Sequence, residues 1–215
     1  MALRKGHVIS LSGIGLASKV HQVDASAAMR RIARPGLGSE HTLYANTAKL
    51  RKIGKHHYKA SPPRDIFNFG KLAGHSRPAR KVTVSFENAT IVNWKYRNGR
   101  YYRYEGSDRF RNEGGSQLSM TNILVLRFRM GLSKTNVDVA GNAAPLMRKP
   151  FGSGKALLFR DGRVIKGRWH RKSLKAFYRL TTSSGDEMVL KPGRTLIEVL
   201  PNKAGQITGS VVSKK

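Results

Sequence analysis

Cysteine is absent from this chain of 215 residues. Its absence removes disulfides, cysteine-ligated metal sites, thiol nucleophiles and lipid attachment through an N-terminal cysteine. No apolar run approaches the ~18 residues that a membrane-spanning helix needs. Acidic residues are scarce, with 12 Asp and Glu against 41 Lys and Arg. Glu87, Glu105, Asp108, Glu113 and Glu198 show no spacing that forces two carboxylates onto one site. There is no HExxH or CxxC pattern for a metal and no G-x-S-x-G elbow for a nucleophile. The sequence thus points to binding or structure rather than catalysis. It nominates no catalytic residue, metal ligand or cofactor, although a triad assembled from distant residues stays open.

What is present is positive charge. The formal net charge is +29. Residues 1–80 carry 15 basic and 3 acidic side chains, residues 81–130 carry 9 and 4, and residues 131–215 carry 17 and 5. The excess is therefore spread along the chain and is not a detachable tail. Such a field attracts nucleic acid, an anionic membrane surface or an anionic wall polymer; the alternative is a solvated surface.

The local patterns predict an α+β fold. A small helix-containing N-terminal part (1–80) precedes a mainly antiparallel β domain (81–201) and a polar, frayed tail (202–215). The start of the chain imitates a signal peptide, but Ser10, Ser12, Gly13 and Gly15 interrupt it. Val8 to Leu11 reads as a strand. Ala25 to Ile32 suggests one short helix. Asn46 suits the N-cap of a second helix ending at Ile53, with Gly54 just past it. Residues 54–80 read mainly as loop, with His56-His57 as a solvated pair.

Beyond residue 80 the period changes to two. Lys81 to Phe86 alternates cleanly. Asn98-Gly99 and Asp161-Gly162 each favour the positive φ values of a two-residue hairpin turn. Ile123 to Met130 suggests a central strand, residues 131–154 a loop, and Thr195 to Leu200 a last strand before Pro201.

Two hairpins carry the candidate contacts. Around Asn98-Gly99, Tyr96 faces Tyr101 and Trp94 faces Arg103 on one side of the ribbon. That side is either a stacking platform for bases or sugars, with Arg103 over Trp94, or the core face of an ordinary sheet. Around Asp161-Gly162, Arg160, Arg163, Lys166, Arg168, Arg171 and Lys172 cluster, and Lys166, Arg168 and His170 share a side with Val164. They suit phosphates or carboxylates, or they blunt a sheet edge. Gly152-Ser153-Gly154-Lys155 lacks the full phosphate-loop pattern and reads as the approach to this hairpin.

The order of several segments is more specific. Glu40-His41-Thr42-Leu43-Tyr44-Ala45-Asn46-Thr47 precedes Leu50-Arg51-Lys52. Trp94-Lys95-Tyr96, Tyr101-Tyr102-Arg103, Gln117-Leu118-Ser119 and Asn122-Ile123-Leu124-Val125 come next. Lys155 to Trp169 and Pro192 to Pro201 close the series. In this order the chain resembles the YerB-like family of bacterial cell-envelope proteins, whose domain has no assigned biochemical function.

The resemblance implies an extracytoplasmic role, since the family is typically secreted and often lipid-anchored. It singles out His41, Tyr44, Asn46 and Asn122 as family-like positions, and residues 1–80 as a partial N-terminal α/β region of an N-terminally truncated member. The chain departs from the family at Thr42, where Asn is usual, and at Asp108 to Asn112, which lacks a His-Asp pair. The chain's own start carries no convincing export signal, so a cytoplasmic setting with nucleic acid as partner stays open beside the envelope.

Overall fold

The computed structural model describes residues 26–39, 42–57, 66–72, 74–86, 90–112, 114–137, 141–202 and 208–215. They belong to two compact units, one spanning Leu3–Arg64 and the other made chiefly of Asp65–Lys215. The expected strand at Val8 to Leu11 and the candidate His41 lie outside the described residues.

In the smaller unit a single turn at Ser26–Ala28 leads into β1 (Met29–Arg31), which pairs antiparallel with β2 (Leu43–Ala45). The helix expected over 25–32 is therefore a turn and a strand. So short a segment cannot sustain helical nucleation alone. Its backbone groups bond across the ribbon instead, Ile32 N–H donating to Thr42 at 2.9 Å and Asn46 N–H to Ala28 at 2.8 Å. Helix α1 (Thr47–His57) starts as its cap predicts: Asn46 Oδ1 accepts the N–H of Lys49 at 2.9 Å. The helix does not stop at Ile53. It runs through Gly54 and takes in His56 and His57, because an interior glycine weakens a helix by only about 1 kcal/mol and breaks it only with help. Among the described residues this is the one α-helix. The α+β expectation is corrected to a β protein with a short helix.

The larger unit contains β3 (Ser76–Pro78), β4 (Lys81–Phe86), β5 (Thr90–Arg97), β6 (Arg100–Glu105), β7 (Asp108–Arg109) and β8 (Ser119–Met120). It continues with β9 (Asn122–Phe128), β10 (Met130–Val137), β11 (Ala143–Met147), β12 (Gly152–Arg160) and β13 (Arg163–Arg171). It ends with β14 (Arg179–Thr182), β15 (Thr195–Pro201) and β16 (Gly209–Lys214). One sheet runs β14-β13-β12-β9-β15, and β3 shares with β14 the outer edge of β13. Here β15 lies parallel to β9, whereas the other pairs are antiparallel. The second sheet runs β16-β4-β5-β6-β7, with β8 also on β6. Both hairpin turns form as their sequences require. Asn98 and Gly99 have φ of 47° and 77°, and Asp161 and Gly162 have 53° and 69°, positive at both positions of each turn.

Alternation explains the two cores. Val82, Val84, Val92, Trp94 and Tyr101 point inward from the second sheet and meet Ile123, Val125, Phe159 and Val164 from the first. The opposite face of the first sheet buries Leu124, Leu126, Leu158, Ile165, Trp169 and Leu180 together with Met188 and Leu190. Each fully buried large side chain of this kind contributes roughly 1.5–3 kcal/mol. The central strand β9 is buried along nearly its whole length, as its continuous apolar run predicts.

Two segments depart from their sequence expectation. Residues 131–154 were expected as loop, yet β10 and β11 form a two-stranded ribbon and β12 begins at Gly152. Those ribbon strands are largely exposed, so they need no apolar alternation. Past Asn202, where composition suggests fraying, β16 pairs with β4 from Gly209↔Phe86 to Lys214↔Lys81.

Candidate polyanion-binding surface

Residues opposed across a ladder share a face, so register decides which cations meet. Lys155 stands opposite Arg168 and Leu157 opposite Lys166. Across β13, Arg168 stands opposite Thr181 and His170 opposite Arg179. One face of β12, β13 and β14 thus begins with Phe159 and Val164 in the core and ends with Lys155, Lys166, Arg168 and Arg179 in solvent. These three strands contain no Asp or Glu. Among the described residues no carboxylate forms an ion pair with any of the four cations. Polar neighbours orient part of the surface: Arg168 Nη2 donates to Ser153 Oγ at 2.9 Å, and His170 Nε2 lies 3.1 Å from Thr181 Oγ1.

Of the six basic residues nominated around Asp161-Gly162, Lys166 and Arg168 belong to this surface, and Lys172 is exposed just beyond β13. The other three are corrected, because alternation sends them to the opposite face. Arg160 is 3% exposed. Its Nη1 donates to the carbonyls of Gly70 and Val189, both at 2.9 Å, and its Nε to Asp161 at 3.0 Å. Arg163 donates from Nε and Nη2 to Ser76 at 2.8 Å, fixing β3 to the sheet. Arg171 donates to Ala176 at 2.8 Å and to Leu174, and lies over the Tyr178 ring at 4.9 Å. These guanidiniums satisfy acceptors of neighbouring loops and of the edge strand β3. Asp161 also takes Lys191 Nζ at 2.6 Å. Burial alone would raise its carboxyl, but the hydrogen bonds from Lys191 and Arg160 hold it below the ordinary range.

The aromatic platform resolves as core. Trp94 and Tyr101 are 0% exposed, so neither ring is open to a base or sugar. The Tyr101 hydroxyl donates to Ala79 at 2.9 Å, and burial, then Tyr96 and Asp161, push its titration up. Tyr96 is half-buried and packs on Tyr101 at 5.0 Å. Arg103 lies over Phe110 at 4.1 Å rather than over Trp94, and donates to Glu105 at 2.8 Å. Two further cation–aromatic pairs, with exposed cations over buried or half-buried rings, are on the hairpin's other face. There Lys95 covers Tyr104 at 4.4 Å and Arg97 covers Tyr102 at 4.1 Å.

The family-like positions are structural where described. Asn46 caps α1, and Arg34 lies over Tyr44 at 5.5 Å. Asn122 is fully buried. Its Nδ2 donates to Lys191 at 2.8 Å and to Thr195 at 3.0 Å, and its Oδ1 accepts Lys191 N–H at 2.9 Å. It therefore ties the start of β9 to the approach to β15. Lys155 and Arg179 were missed. Counting outward from Asp161-Gly162 would have found Lys155, whereas no local turn sets the register of Arg179.

The crystal structure of YerB protein from Bacillus subtilis is similar, with a TM-score of 0.61 and 18% identity, over 92% of this chain and 67% of that one. At that identity the likeness is one of fold. No curated protein matches significantly. Residues 82–197 match the model described as "Protein of unknown function (DUF3048) C-terminal domain". That match takes in both hairpins, the central strand and most of the basic surface, over more than half of the chain, and the chain therefore belongs to the DUF3048 family.

Proposed function

We propose that this protein is a non-catalytic binding module for an anionic polymer at the bacterial cell envelope, and that the exposed face of β12, β13 and β14 makes the contact. The observation that carries the proposal is the set Lys155, Lys166, Arg168 and Arg179 on three adjacent strands that contain no carboxylate of their own; Glu187, bridged to Thr181 at the border, accepts from Asn68 at 2.8 Å. Strands lie about 4.8 Å apart and residues on one face recur every ~6.8 Å, so the set spans on the order of 10 Å. Each member of the set lies within roughly 8 Å of its nearest neighbour by these spacings, about one Debye length at physiological salt, so their fields reinforce one another. An extended anion that follows the strands would meet several of them at once. Lysine supplies point charge and arginine a planar fork for paired oxygens.

The envelope setting follows from the family resemblance. A wall polymer is favoured over single-stranded nucleic acid because the rings that would stack bases, Trp94 and Tyr101, are in the core. The test compares poly(glycerol phosphate) with single-stranded DNA of similar charge, using the parent chain and the variant K155A/K166A/R168A. A preference for the glycerol phosphate polymer, with affinity lowered at least about tenfold in a folded variant, supports the proposal. Equal binding by parent and variant, or a preference for DNA, overturns it.

A further inference from the structure

A second cationic feature lies on the other sheet. Lys214 stands opposite Lys81, and Lys81 opposite Lys95. Three ammonium side chains therefore form one row across β16, β4 and β5, all on the outer face and all exposed. Like charges placed directly opposite in a sheet repel, and this row contains two such pairs in succession. No carboxylate among the described residues pairs with any of the three.

The row borders a shallow trough of about 250 Å³ whose polar lining includes Thr83 and Asn93. Those two are themselves opposed on β4 and β5. The Thr83 hydroxyl donates to Asn93 Oδ1 at 2.8 Å, and the Asn93 amide gives one hydrogen to Gly106 at 3.1 Å. An amide NH₂ has two hydrogens, so one remains for a ligand oxygen. Lys95 is held in place by the Tyr104 ring, 4.4 Å from its Nζ.

We propose that this trough binds a phosphate monoester group, with Lys81, Lys95 and Lys214 as its cationic ligands and Asn93 as a neutral donor. Ammonium groups are compact point charges and impose no planar geometry, so three of them on different strands suit a tetrahedral anion approached from several sides. A phosphate monoester carries nearly two negative charges at pH 7, with its second ionisation near pH 6. It answers the three opposed cations better than a carboxylate or a phosphodiester, which carry one charge each. The site lies on β4, β5 and β16, whereas the polymer surface lies on β12, β13 and β14. The two proposals therefore stand or fall separately.

The test uses the full chain at low salt, with backbone amide shifts of β4, β5 and β16 as the readout. Glycerol phosphate, dimethyl phosphate and acetate are titrated separately. Saturable shifts centred on Lys81, Thr83, Asn93 and Lys95 are expected with glycerol phosphate. Affinity should rise severalfold between pH 5 and pH 7.5 as the ester gains its second charge. Dimethyl phosphate and acetate should bind at least tenfold more weakly. The variant K81Q/K95Q should lose at least tenfold in affinity for glycerol phosphate. It should also unfold at no lower temperature than the parent, because it removes the opposed ammonium pairs. K155A/K166A/R168A should bind the monoester as the parent does. Absence of saturable shifts, equal binding of dimethyl phosphate, or undiminished binding by K81Q/K95Q would overturn the proposal.

Discussion

Trp169 donates its indole N–H to the carbonyl of Arg127 at 2.9 Å, and it does so across the backbone of Gly154. A Cβ at residue 154 would lie 2.4 Å from Trp169 Nε1 and 2.5 Å from the Arg127 carbonyl oxygen. Glycine at this point therefore lets the indole reach across β12, where it also stacks on Phe128 at 4.4 Å. Overpacking a core costs about 1–3 kcal/mol and losing such a hydrogen bond about 1 kcal/mol more. Gly154→Ala should lower stability by roughly 2–4 kcal/mol, read as a lower urea midpoint. An unchanged midpoint would show that the ring is free to retreat.

Arg160 provides a second prediction. Removing its guanidinium leaves the carbonyls of Gly70 and Val189 without this donor and Asp161 with only Lys191. Arg160→Met should cost on the order of 3 kcal/mol, with faster amide exchange at residues 68–70 and 189–191. Polyanion affinity of the folded variant should stay at the parent's value. A selective loss of affinity with unchanged stability would return Arg160 to the binding surface.

Glu198 gives a pH signature. Burial raises its pKa, and Arg103 offsets the shift only in part. The folded state thus favours the protonated acid. The stabilisation is fully present below the unfolded pKa and is lost as pH rises through the higher folded value. The stability of the parent relative to Glu198→Gln should fall as pH rises from the ordinary glutamate range through the raised folded value. Asp161 has the opposite sign: its lowered pKa means that stability is lost as pH falls through the folded value. A parent-minus-E198Q difference that is flat with pH would contradict the account of Glu198.

The sequence made hairpins legible because Asn98-Gly99 and Asp161-Gly162 encode backbone angles directly. Once those turns are placed, the pairings Tyr96↔Tyr101, Trp94↔Arg103 and Arg160↔Arg163 follow by counting. Counting does not reveal what covers each face. The aromatic side of the first hairpin is roofed by β9 and β12, brought in from 20 to 60 residues away, so a candidate platform became core. Arg160, Arg163 and Arg171 cluster with Lys166 and Arg168 in sequence, yet β-strand alternation divides them between two faces. The edge strand β16 was hidden because a short segment gains most of its order from one ladder with β4, and only Val211 of its side chains packs on the core. Exposed pairing of this kind leaves almost no compositional trace.

The basic face of β12 to β14 is most directly tested by the salt dependence of polymer binding. Binding of poly(glycerol phosphate) is measured over a series of salt concentrations for the parent and for K155A/K166A/R168A. Each phosphate contact removed on a flexible single chain should reduce the slope of log K against log salt by about 0.7. The parent should therefore show a steep negative slope and the variant a slope shallower by about two. The same slope in both proteins, or no binding by the parent even at low salt, would contradict the assignment of this surface.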